Sequence, residues 1–139
     1  MPGRIDQAEL DALFTAALET AIARIETDGT FFPLLFELRT TGSIQNVAVL
    51  ETGTIEGIQA VLDRLVGLIR SRAAEGMVRA AAIVLHAAER EAIELRLRAR
   101  NYSSDLTVPY EIRRGGLFGL KRKLVLGEIA QRKAANEIF

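Results

Sequence analysis

The chain contains no cysteine and no tryptophan, and only one histidine and three prolines in 139 residues. Without cysteine there can be no disulfide, thiol nucleophile or thiolate metal site, and a reducing compartment suits such a chain. A single histidine leaves no multi-histidine spacing of the kind that marks a zinc site. No run of about 18 apolar residues is present to span a bilayer. The opening MPGRIDQAELDALF places acids where a secretory leader needs an apolar stretch. Cytoplasmic residence is the expectation, with no membrane span and no cofactor.

Net charge is absent too, but only in the total. Residues 1–28 hold six acids and two arginines, a net of −4. Residues 29–112 carry a net of −1, and residues 113–139, with seven bases and two acids, a net of +5. An acidic start and a basic end are able to pair within one molecule, between two copies, or with an outside partner. Overall neutrality argues against a nucleic-acid module, leaving a weak binder through the basic end as the third-ranked reading.

What is present is a globular composition, with 49% apolar and 26% charged residues, enough for a single domain over 1–139 with one substantial core. Asp6, with Glu9 three residues on, predicts a helix start of capping-box type. Leu10, Leu13, Phe14, Ala17, Leu18, Ala21, Ile22 and Ile25 then follow helical spacing to Gly29. The period changes to two in FFPLLFELRT, which predicts a strand, and TTGS turns it into a second, IQNVAVLE. Thr54 is placed to cap a second helix with Ile55, Ile58, Leu62, Leu65 and Ile69 on its stripe, ending near Gly76. Three further strands are predicted in MVRAAAIVLHA, EAIELRLRAR and LTVPYEIR.

The expected fold is therefore α+β, an antiparallel sheet of about five strands with the helices packed on one face. Its order is α-β-β-α-β-β-β plus a basic segment, 114–139, that forms a hairpin and a short terminal helix. This order resembles that of profilin-like and roadblock-like folds in topology only. No motif of either family is present, so the resemblance implies an architecture and none of their functions.

Few residues carry a chemical signal. His86 ends an apolar strand with only Glu89 and Glu91 as acidic sequence neighbours, and a structural histidine is the favoured reading. Glu89, Arg90, Glu91 and Glu94 read as a solvated hairpin end. Arg96, Arg98 and Arg100 share one face of a strand, opposite Leu95, Leu97 and Ala99. They are either ion-paired with Asp105 and Glu111 of the next strand or an arginine ladder that grips an anion.

The segment PYEIRRGGLFGLKRKLVLGE combines a glycine turn with clustered bases. It lacks the Gly-Lys-Ser/Thr of a phosphate loop and the strand-helix setting of a dinucleotide fingerprint. The G-x-x-G of Gly116 to Gly119 has apolar middle residues and strand-like flanks, unlike the nucleic-acid loop of a KH domain. What remains is a turn with Phe118 near its tip, flanked by Arg113, Arg114, Lys121, Arg122 and Lys123, a candidate contact site.

The sequence reading is thus a non-enzymatic protein-interaction or dimerisation module, with a homodimer or an acidic protein as partner. The dimer is motivated by the doubly apolar VRAAAIVLHA, the split charge and the apolar Ile138-Phe139. The alternative is a small anion-binding or enzymatic domain that uses the arginine face.

Overall fold

A computed structural model describes residues 5–49, 57–119 and 121–139. Helix α1 (Gln7–Asp28) starts where the capping box places it. The Glu9 amide donates to Asp6 Oδ1 at 2.8 Å, and the Asp6 amide donates to the Glu9 carboxylate at 3.5 Å. Gly29 ends the helix in the left-handed region, φ 84°, where an L side chain is disfavoured.

Then come β1 (Leu34–Arg39), β2 (Ile44–Val49), α2 (Ile58–Ala74), β3 (Val78–Ala87), β4 (Ala92–Ala99), β5 (Tyr102–Gly115), β6 (Lys121–Leu126) and β7 (Ala130–Lys133). The strand order is β2-β1-β3-β4-β5-β6, and β7 also pairs with β5. All pairs are antiparallel. The expected α+β class holds. Thr54 and Ile55, read as the start of the second helix, lie outside the described residues, and α2 follows Gly57 with no side-chain cap.

The helices lie on opposite faces of the sheet, whereas the sequence predicts both on one face. In β1 and β3, Leu34, Phe36, Leu38, Ala80, Ala82 and Val84 pack with α1. The alternate residues Leu35, Ala81, Ile83 and Leu85 pack with Val61, Leu62, Leu65 and Ile69 of α2. Strand alternation sends these sets to opposite faces. Strand β3 is apolar on both sides because it is the middle of a three-layer domain, buried by both helices of its own chain.

The terminal helix expected in GEIAQRKAANEIF is absent. Residues 130–133 instead pair with 104–107 of β5. β7 prolongs β6 along one edge of β5 with a single extra residue, since Tyr110 faces Leu126 while Thr107 faces Ala130. So short a helix is marginal in water, whereas β5 offers an unpaired edge.

Residues 134–139 form a strap across β4 and β5 on the α2 side. The Asn136 amide donates to the carbonyls of Ala99 at 2.8 Å and Tyr102 at 3.4 Å. Its oxygen accepts from the Ile138 and Phe139 amides at 3.2 and 2.9 Å. Ile138 is buried in the α2-side core and Phe139 packs against it.

Candidate anion-binding arm

Beyond Pro109, β5 leaves the side of β4 and pairs only with β6. A two-stranded ribbon is marginal by itself, and this one is anchored at the C-terminal end of α1. Leu124 is buried in the α1-side core. Its amide donates to Glu26 Oε2 at 2.9 Å, and Arg122 donates to the carbonyls of Glu26 and Thr27 at 3.4 and 3.3 Å. The last turn of α1 holds no base of its own, so Arg122 supplies the cation that a helix C-terminus favours.

The register sets like charges opposite each other, with Arg113 facing Lys123 and Arg114 facing Arg122. Directly opposed like charges destabilise an antiparallel pair. Arg113, Arg114, Lys121 and Lys123 are all exposed. Arg113 has only a long contact, 3.9 Å, to the exposed Glu111. No carboxylate among the described residues pairs with Arg114, Lys121 or Lys123. At the tip, Gly116, Phe118 and Gly119 all have positive φ, at 73°, 61° and 65°. A Cβ on Gly116 would lie 3.0 Å from Lys121 Cγ. Phe118 is 86% exposed in a backbone conformation that bulky residues rarely adopt.

The arginine face has a different fate. Arg98 is 1% exposed. Its Nε donates to Glu137 Oε1 at 2.6 Å, Nη2 to Asp105 Oδ1 at 2.8 Å, and Nη1 to the Ser104 carbonyl at 2.9 Å. Burial disfavours the charge, but Glu137 and Asp105 outweigh it, so the guanidinium is held above its ordinary pKa. Arg96 is half-buried, and Arg100 is exposed past the end of β4, beside a cavity of ≈ 180 Å³. Alternation along β4 holds, yet the three do not form a free ladder, because the strap claims the central one. An open groove of ≈ 780 Å³ beside the strap is lined by Tyr102, Ser104, Gln131, Arg132 and Asn136. Gln131 there already donates to the Tyr102 hydroxyl and to Ser104 Oγ, each at 3.1 Å.

His86 has both ring nitrogens engaged, Nδ1 with the Thr30 hydroxyl at 2.8 Å and Nε2 with the Tyr110 hydroxyl at 2.7 Å. The ring stacks on Phe31, centroids 5.2 Å apart. Burial holds its pKa below the ordinary value, against the opposing pull of Glu89. Burial also raises that of Tyr110, with Glu91 adding to it. Each partner is a hydroxyl, so the ring has no carboxylate to orient it as a base. Arg90 pairs with Glu94 at the hairpin end, as its spacing implies.

One cluster escaped the sequence reading. Glu37 is fully buried under α2, where Arg72 donates to both of its oxygens at 2.7 and 2.6 Å and Arg39 to one at 2.8 Å. Burial raises the Glu37 pKa, but the two arginines pull it net below the ordinary value. The signal was available. Arg72 continues the stripe of Leu62, Leu65 and Ile69 at helical spacing, and Glu37 shares a strand face with Leu35.

Among the described residues no three His, Asp or Glu side chains converge as metal ligands, and no helix is long and apolar enough to cross a membrane. No protein-family model, curated protein or solved structure matches the chain.

Proposed function

We propose that the chain is a non-enzymatic binding module whose working surface is the β5–β6 arm, and that what it binds is anionic. The observation that carries this reading is the pair of like-charge facings, Arg113 with Lys123 and Arg114 with Arg122, behind a bare Phe118. Opposed cations in a ribbon are a local cost, and a partner's negative charge offsets it. Aromatic residues and arginine are also enriched in binding interfaces relative to the rest of a protein surface. The anion-binding or enzymatic alternative loses its central residue, since Arg98 already has two carboxylates.

The features behind the expected homodimer have partners inside the chain. β3 lies between α1 and α2, Ile138 and Phe139 lie on the α2-side core, and Arg122 meets the end of the acidic helix. The proposed function therefore needs no second copy. Light scattering at low and high salt checks this, and the expected mass is that of one chain.

The arm is tested with a variant carrying Arg113→Gln, Arg114→Gln, Lys121→Gln and Lys123→Gln. The parent chain is expected to bind at least one of polyglutamate, a duplex oligonucleotide or anionic vesicles, more weakly as salt rises. The variant, relieved of its like-charge facings, is expected to melt no lower than the parent and to lose the binding. Equal binding by both proteins, or none by the parent to any of the three, overturns the reading.

A further inference from the structure

We infer that the anionic surface taken by the arm is that of a lipid bilayer with acidic headgroups, met end-on by the turn at residues 116–119. This rests on the arm being the working surface. Its bases are not confined to one face of the ribbon. The register puts Arg113, Lys121 and Lys123 on one face and Arg114 on the other, with Arg122 beside it but tied to α1. A groove or flank of an acidic protein takes up one face of a ribbon and leaves the other in solvent. A plane approached along the ribbon axis meets the bases of both faces at once.

The apex fits the same approach. Its most exposed described side chain is Phe118, and the glycines on either side add no polar group of their own to the turn. An aromatic ring is at home at the depth of the headgroups, with lysines and arginines held just outside. The bases follow directly behind the tip, in the register pairs Gly115 with Lys121, Arg114 with Arg122 and Arg113 with Lys123. A phosphodiester backbone or an acidic peptide satisfies the bases but gives the apex nothing to enter. Contact with the surface is peripheral and salt-sensitive, since each base near an anionic membrane strengthens attachment only about five-fold.

The chain has no tryptophan, so Phe118→Trp makes the apex the sole indole reporter. The full chain with this substitution is titrated with phosphatidylcholine vesicles, with and without phosphatidylserine. The expected result is a blue shift of emission with the serine lipid only, reversed by salt. Combining Arg113→Gln with Lys123→Gln weakens it about twenty-five-fold, taking five-fold per base. Phe118→Ala, followed by sedimentation with vesicles, is expected to bind several-fold more weakly at an unchanged melting temperature. Sedimentation of the indole variant without a blue shift overturns end-on insertion. A chain that ignores vesicles but binds polyglutamate or an oligonucleotide through the arm overturns the bilayer and leaves the arm as the working surface. A chain that binds none of these overturns both.

Discussion

Arg98 and Arg113 stand fifteen positions apart on neighbouring strands, and their surroundings are opposite. Arg98 is buried and donates to two carboxylates and two carbonyls. Arg113 keeps its water, has only a long contact to Glu111, and faces a lysine. The same contrast divides the molecule. On the α2 side, Glu37 with Arg72 and Arg39, and Arg98 with Asp105 and Glu137, tie distant segments together. On the arm, five bases accumulate with Glu111 as the one acid in the β5–β6 register. A charge of the first kind belongs to folding, because removing one partner strands another in a dry setting. A charge of the second kind has no such role, and is free to meet something outside.

That division makes substitutions at the two places behave differently. The largest effect is expected from Arg98→Met, which leaves Asp105 and Glu137 without their shared cation and frees the strap. About 3 kcal/mol of stability is lost, measured by urea unfolding. A loss as small as that of a surface change would erase the contrast. Glu137→Gln keeps the shape and removes one carboxylate from Arg98, for a loss of about 1–2 kcal/mol. The strap amides at 136–139 then exchange faster with solvent.

Acid sharpens the comparison further. The folded-state pKa of His86 lies below the ordinary 6.5, so the unfolded chain binds the proton more readily. Its contribution is complete above that pH and declines as pH falls below it. Glu37 likewise lies below its ordinary 4.5, so its contribution is present above that value and declines below it. Urea midpoints measured across pH are expected to fall in two stages, and His86→Gln removes the first. The Arg113→Gln variant, which touches neither His86 nor Glu37, is expected to follow the parent's profile.

The smallest effect is at the tip. Asparagine tolerates a left-handed backbone better than phenylalanine does. Phe118→Asn is therefore expected to raise stability by about 0.5 kcal/mol while weakening binding. Unchanged binding would remove Phe118 from the contact surface.

Much of this was written locally. The Asp6–Glu9 pair and the stripe through Leu13, Ala17 and Ile25 define α1 completely, and the arm announces itself in Arg-Arg-Gly-Gly and Lys-Arg-Lys. The side of the sheet taken by each helix was not legible, because an amphipathic stripe states that a helix is covered and not by which face. β7 was missed because AQRK has no alternation of its own, and its pairing comes from the open edge of β5. The burial of Arg98 depends on Glu137, 39 residues further along. No window of local sequence contains both. The arm was legible because its bases are clustered in the sequence itself, a property that needs no distant residue.

The most direct test of the division between the two charge clusters is amide hydrogen exchange of the full chain with and without phosphatidylserine-containing vesicles. Slower exchange confined to residues 110–126, with residues 92–99 and 134–139 unchanged, is the predicted result. Slower exchange in the strap and β4 instead, with the arm unaffected, would contradict it.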